Sequence, residues 1–356
     1  MATFLIVSSS RKLSKRHHIV PRFHLRRWAN RAGRIGTVVG DAAVTPPPAI
    51  TDVAVKSGIY NRTRPTGERI DDIERVTLGS IETKAGSLMR SLRRRWPLTG
   101  QEKLDLAMHI GFQMVRGPRW FAWERDFNQS RITDFVDAPI PSGRSLEQHA
   151  EILEGVSAEI MSDNSRLISM TSIGAKCARL VGSMTWTLVE FERASPLVLS
   201  DHPVTIWDRR SRSTTPRPID LGAMGLRNLL ELRVPIAPSL ALIATWEDRG
   251  DRATPLRGSP DLARALNAAA VAQAEHQWFY RLPRPPAIDL GDPFPPAGER
   301  LLGRPLPDPD DQIVPPRVFA DIEELVERGE VGPKQLVEIY FVDPDQPVKP
   351  RDRAGS

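Results

Sequence analysis

Apolar residues return at a helical period between Ile70 and Trp96: Ile73, Thr77, Ile81, Ala85, Leu88 and Leu92 fall on one face, and Trp96-Pro97 ends the run. Thr99 and Glu102 stand at the spacing of a capping box, in which each side chain bonds the other residue's backbone N–H. A second helix is therefore predicted from Thr99 to Arg116, stopped by Gly117-Pro118. The two are expected to pack as a helical hairpin. Further helices are predicted over 119–135, over 145–161, where Ser145 and Gln148 repeat the capping box, and over 166–181.

After Gly182 the texture changes to β-branched and aromatic runs separated by turn residues: 185–191, 197–199, 204–207, 229–234 and 240–246. These predict a mainly antiparallel sheet. Ser259-Pro260 opens an alanine-rich helix expected to last to about Gln277, and Trp278-Phe279-Tyr280 is expected to close the sheet. Near the start, Pro21 suits the first position of a helix carrying Leu25, Trp28 and Ala29, which Gly33 and Gly36 end; 35–39 then reads as a short strand before the Thr45-Pro46-Pro47-Pro48 loop. The fold class expected is α+β, with an N-terminal helical hairpin and further helices packed on the sheet. Residues 1–16 read as a flexible arm, 17–281 as the core domain, and 282–356 as a proline-rich extension with a helix at 318–328 and a strand at 336–342.

With 356 residues and 40% hydrophobic content, the chain can bury a sizeable core. Its longest apolar runs, such as Leu240-Ala241-Leu242-Ile243-Ala244, fall far short of the roughly 20 residues that a membrane helix needs. The apolar start from Ala2 to Val7 is too short for a secretory core and has no basic region before it, so a cytoplasmic location is expected. Cys177 is the only cysteine, which excludes an internal disulfide and a thiolate zinc site. A net charge of +5 suits a nucleic acid or another anionic partner, although the excess of arginine, alanine and proline is also what a GC-rich genome produces.

The ordered landmarks His17-His18-Ile19-Val20-Pro21, Ile73-Glu74 with Ile81-Glu82, Gln113 with Arg116-Gly117-Pro118, Ser200-Asp201-His202-Pro203-Val204, Val234-Pro235-Ile236-Ala237-Pro238, and Asn267 with Ala274 before Phe279-Tyr280 carry a resemblance. In that series the chain resembles domain-of-unknown-function family 4238 over roughly residues 15 to 281. It departs from the family pattern at His202, where Asn is usual, and at Ala237-Pro238, where Ser-Pro is usual. The resemblance implies candidate positions and no reaction. The His-His-Ile-x-Pro opening also resembles that of an HNH nuclease, but no Asn-x-x-Leu followed by a Cys- or His-bearing helix comes within the next fifty residues.

His17, His18 and His24 gather three of the chain's seven histidines in one short stretch, and imidazole is the side chain best suited to move protons near neutral pH. Adjacent residues on an extended segment face opposite ways, so one of His17 and His18 can face a site while the other packs. Asp105, His109, Gln113 and Arg116 form one helical stripe; Asp105 and His109 are expected on a solvated face. Arg116 can hold a phosphate in two-point fashion or pair with Glu74 or Glu82. Glu74 is a candidate base or divalent-metal ligand, and Asp201 either joins it or caps its own turn. Asn267 reads as a polar contact between helix and sheet.

Two functions follow as expectations. One is a metal-assisted hydrolase of a phosphodiester or similar anion: His17 or His18 as base, Arg116 stabilising charge, Gln113 and Arg22 binding substrate, and Glu74 and Asp201 holding Mg2+ or Mn2+. The other is a binding or sensor module in which these groups form a structural polar network.

Overall fold

The computed structural model describes residues 15–64, 66–136, 145–208, 229–245 and 251–290, with Ile140 and Gly143. The predicted helix at 318–328 and strand at 336–342 lie outside them, as does the predicted arm apart from Lys15 and Arg16. Arg16 is already structured, as the first residue of strand β1 (Arg16–His18). The next elements are short: α1 (Arg22–Leu25), β2 (Gly36–Val39), β3 (Ala42–Ala43), β4 (Val55–Ser57), β5 (Arg62–Thr63) and β6 (Arg69–Ile70). Helix α1 stops after one turn, well before Gly33, because Trp28 turns inward and its indole N–H donates to the Leu197 carbonyl at 2.9 Å.

The long helices begin with a π-helical turn, Ile73–Leu78, continuing into α2 (Gly79–Arg95). Both capping boxes form as expected, at Thr99 with Glu102 ahead of α3 (Gly100–Val115) and at Ser145 with Gln148 ahead of α5 (Leu146–Ile160). Between them runs α4 (Pro118–Val136), and α6 (Asp163–Ser183) follows. Helix α3 touches α2 but approaches α6 most closely: a methyl group built on Gly111 would lie 2.5 Å from the Ala178 amide nitrogen and 2.6 Å from the Gly174 carbonyl. Enclosed on two sides, α3 buries His109 as well as Ile110 and Phe112, which overturns the solvated face expected there. Asp105 stays partly exposed and meets Lys84 of α2 at 3.2 Å.

The remaining strands are β7 (Thr185–Glu190), β8 (Leu199–Ser200), β9 (Thr205–Asp208), β10 (Leu229–Ala237), β11 (Leu240–Thr245), β12 (Leu256–Arg257) and β13 (Gln277–Tyr280), with α7 (Pro260–Ala272) before the last. They build two larger sheets where one was expected. Five strands run in the order β12-β7-β11-β10-β9, antiparallel except for the β12-β7 pair, and four run β3-β2-β13-β8. Trp278, Phe279 and Tyr280 therefore close the second sheet, not the first. Alternation along the five-stranded sheet explains its nearly continuous apolar sequence. Leu188, Leu242 and Val234 face the helical core, whereas Val189, Ala241 and Ile243 pack on Leu262 and Leu266 of α7. Helix α7 ends at Ala272, short of Gln277, and also reaches the second sheet through Ala270. Asn267 joins helix to chain as expected, its Oδ1 accepting from Val198 N–H and its Nδ2 donating to the Pro196 carbonyl, both at 2.9 Å. No described helix is long and apolar enough to cross a membrane.

Gly111→Ala places a carbon inside backbone atoms of α6 that cannot swing away. Its gain in helix propensity is about 1 kcal/mol, and overpacking of this kind costs about 1–3 kcal/mol or more. A net loss of stability is expected in urea denaturation, and an unchanged midpoint would contradict the close helix contact.

Candidate functional site

Strand β1 pairs antiparallel with β4, His17 opposite Lys56 and His18 opposite Val55. Its side chains alternate, so Arg16 and His18 line an open cleft of about 800 Å3 while His17 turns the other way and is fully buried. The far wall of the cleft is one stripe of the π turn and α2, on which Glu74, Glu82, Gly86 and Arg90 recur at helical spacing. Gly86 lets α1 come close: a methyl group there would meet the Phe23 ring at 3.2 Å.

His17 Nδ1 accepts the Tyr60 backbone N–H at 3.0 Å, and the two rings stack with centroids 5.3 Å apart. A backbone amide can only donate, so Nδ1 carries the lone pair and the neutral ring bears its proton on Nε2. Nε2 lies 3.1 Å from Glu74 Oε2. Glu74 is placed by its neighbours. Asp72 accepts the Ile73 N–H at 3.0 Å and is gripped by Arg62 at 2.9 and 2.5 Å, which holds the Asp72 carboxyl below the usual range. The wide turn that follows brings the Gly79 N–H to the Glu74 carbonyl.

Arg116, the C-cap of α3, lies beneath the cleft with 3% of its side chain exposed. Its Nε donates to the Tyr60 hydroxyl at 3.1 Å, Nη1 to Glu82 Oε1 at 2.7 Å, and Nη2 to the His18 carbonyl at 2.6 Å. The Tyr60 hydroxyl donates in turn to the Arg116 carbonyl at 2.9 Å. Gln113 completes the ring, its amide nitrogen 3.3 Å from the Ile19 carbonyl and its oxygen accepting from Arg116 Nη1 at 3.0 Å. Burial acts to lower the pKa of Arg116, but Tyr60 and Glu82 beside it outweigh burial and raise it, so the guanidinium stays charged. The pairing with Glu82 is one of the two partners foreseen for it.

The structure thus brings His17, His18, Glu74, Gln113 and Arg116 together and sets Arg22, exposed, on the rim of the cleft. Gln113 does not line the cleft; it supports Arg116 from behind. Asp201 is not brought to Glu74. Its carboxylate accepts the N–H groups of Glu275, His276 and Gln277 at 2.8, 2.8 and 3.0 Å, so it caps a distant turn and not its own as foreseen. Among the described residues no group of three or more His, Cys, Asp or Glu is placed to hold a metal ion. The donors for a divalent ion in the cleft are then Glu74 and Glu82, and Glu82 is already engaged by Arg116. Tyr60, central to the network, escaped sequence reasoning; its one signal is an apolar Ile59-Tyr60 pair set between Gly58 and Asn61 in a polar stretch.

Residues 16–284 match the profile of a family described as "Protein of unknown function (DUF4238)". The chain belongs to the DUF4238 family. No curated protein and no solved structure matches it. The match takes in every residue of the network and of the cleft, so the DUF4238 region and the site coincide.

Below the network, His24 and His109 are both fully enclosed, their rings 5.9 Å apart, with His24 Nε2 donating to the Pro235 carbonyl at 2.8 Å. Desolvation lowers the pKa of His24 from 6.5 to about 4 and pushes His109 well below its ordinary value. In the unfolded chain both rings take up protons as pH falls through about 6.5, whereas the folded protein resists, so stability is complete above that pH and falls toward about 4. For His24 the full difference is roughly 3 kcal/mol. Melting temperature is expected to fall steadily from pH 6.5 to 4, and the slope should be shallower in His24→Phe; an equal slope would remove this cause.

Arg116→Lys keeps a charge but cannot supply three separate donor directions, and it leaves Glu82 and Tyr60 poorly matched. A loss of about 3 kcal/mol or more is expected in guanidinium denaturation.

Proposed function

We propose that this DUF4238 protein is a binding module for a phosphate-bearing anion, seated in the cleft between β1 and α2, with the buried polar network as its scaffold. One observation carries the reading: Arg22, Arg26 and Arg90 stand exposed on the cleft, each without an ion pair among the described residues, above a wall kept rigid by Arg116 and Glu82. Guanidinium groups match phosphate oxygens in two-point geometry, and three on one rim raise the local anion concentration. The donors of Arg116 serve the protein's own carbonyl, hydroxyl and carboxylate, so its role is to position the rim and the His18 segment. A nucleic acid strand and a smaller phosphate-bearing molecule share the chemistry that such a rim recognises.

A second reading, hydrolysis of a phosphodiester, is favoured by the His17–Glu74 contact. Glu74 reaches the same cleft with 29% of its side chain exposed, backed by a ring whose tautomer Tyr60 fixes. In this reading Glu74 takes a proton from the attacking water as its oxygen bonds to phosphorus, the rim arginines hold the phosphate, and the proton passes from Glu74 to the leaving oxygen as its bond to phosphorus breaks. Mg2+ or Mn2+ would have Glu74 as its principal protein ligand, and no step is assigned to it.

Fluorescence anisotropy with a labelled single-stranded oligonucleotide tests the first reading. Binding is expected to weaken linearly in log affinity against log salt, and the triple variant Arg22→Ala, Arg26→Ala, Arg90→Ala should bind at least ten-fold more weakly with an unchanged melting temperature. Equal affinity in the variant, or no binding of oligonucleotide or polyphosphate at low salt, would rule it out. Turnover of bis-p-nitrophenyl phosphate, with and without Mg2+ or Mn2+, tests the second: Glu74→Gln should lower the rate by about 100-fold or more while leaving oligonucleotide affinity in place.

A further inference from the structure

A second cleft, also about 800 Å3 and lined by Lys56 and Ser57 of β4, is one that the anion-binding reading does not use. It opens between the β1–β4 ribbon and helices α4 and α6, with Lys15, Lys56 and Gly58 on one wall and Phe121, Glu124 and Arg166 on the other. Its inner end carries Asn61, which is 6% exposed and whose Oδ1 has no hydrogen-bond partner, although a buried acceptor of this kind is ordinarily satisfied. The buried Glu124 lines the same space, accepts from Asn128 Nδ2 at 3.1 Å, and has its pKa raised by desolvation. Arg166 lies over the Phe121 ring at 4.8 Å and its Nη2 meets Asp163 at 2.9 Å, while its buried Nε has no hydrogen-bond partner. At the mouth Lys15, Lys56 and Arg69 have no ion-pair partner among the described residues, and Arg125 is held only loosely to Asp126 at 3.7 Å.

From this arrangement we infer that the second cleft binds a nucleoside phosphate, its base inserted so that an N–H meets Asn61 Oδ1 and its phosphate held by Lys15, Lys56 and Arg69 at the mouth. The ligand must combine three properties. It needs a hydrogen-bond donor on a compact polar edge, such as a base N–H, because the unsatisfied Asn61 group at the inner end is an acceptor. It needs flat apolar surface, because Ile59 and Phe121 form part of the walls. It needs an anionic end, because the mouth is cationic and Asp163, the exposed acid among the lining residues, is paired with Arg166. Inorganic phosphate has no flat apolar surface, and a sugar phosphate brings hydroxyl donors but no flat apolar face either. A base joined to a phosphate supplies all three, and a volume of this size accommodates one.

The inference does not rest on the first cleft, and variants separate the two. Isothermal titration of the full chain with AMP, GMP, CMP and UMP, with ribose 5-phosphate as control, reads the site directly. At least one mononucleotide is expected to bind ten-fold or more tightly than ribose 5-phosphate. Asn61→Leu should abolish that preference, and Arg69→Ala should weaken the nucleotide ten-fold, while Arg31→Ala, exposed and outside both clefts, leaves it unchanged. Asn61 is buried and its variant can fail to fold; Lys56→Ala and Arg69→Ala act at the mouth and carry the test alone in that case. Mononucleotides that bind no better than ribose 5-phosphate overturn the inference, as does a nucleotide affinity lost in Arg90→Ala and kept in Arg69→Ala.

Discussion

A buried guanidinium cannot remain charged without partners that replace water, and in this protein the partners of Arg116 come from three separate stretches of chain. The His18 carbonyl belongs to β1, the Tyr60 hydroxyl to the segment after β4, and the Glu82 carboxylate to α2. Satisfying one side chain therefore fixes the position of the amino-terminal strand against the helices. The same constraint shapes both clefts, since the β1–β4 ribbon is a wall of each.

His17 and Tyr60 extend that constraint toward the surface. The Tyr60 backbone N–H fixes the tautomer of His17, His17 contacts Glu74, and Arg62 with Asp72 secures the turn that carries Glu74. Burial runs from Arg116 and His17, fully enclosed, to Glu74 and Glu82, partly exposed, to Arg22 and Arg90, open to solvent. Such a gradient suits a site whose inner groups are rigid and whose outer groups adapt to a ligand.

His24 and His109 show the opposite use of the same residue type. They lie in the interior where three aromatic or imidazole rings meet, Phe23 packing 5.2 Å from His109, and burial favours their neutral forms. Identical side chains a few residues apart thus take different parts, because a partner amide or carboxylate is available to one pair and hydrophobic enclosure dominates the other.

Local rules were legible in the chain wherever the physics is local. The capping boxes at Thr99 and Ser145 formed at the residues expected, because a cap needs only three residues of neighbouring backbone. Strands β7 and β11 were marked by β-branched runs, and the association of His17, Glu74 and Arg116 was expected from residue types that cannot be buried alone. Other features depend on what lies opposite. His109 sits on a stripe that looks solvated until Phe23 and His24 of α1 cover it, and Asp201 looks like a ligand until three amides of a turn some seventy residues away reach its oxygens. The division into two sheets followed from pairing across distant strands, which side-chain alternation does not encode. The sequence by itself thus determined the long helices, their caps, the longer strands and the set of polar groups that had to be paired, but not the short β1 and β4 strands that frame the site. Only the tertiary structure decided which of them met, because burial and hydrogen bonding are properties of surfaces brought together by folding.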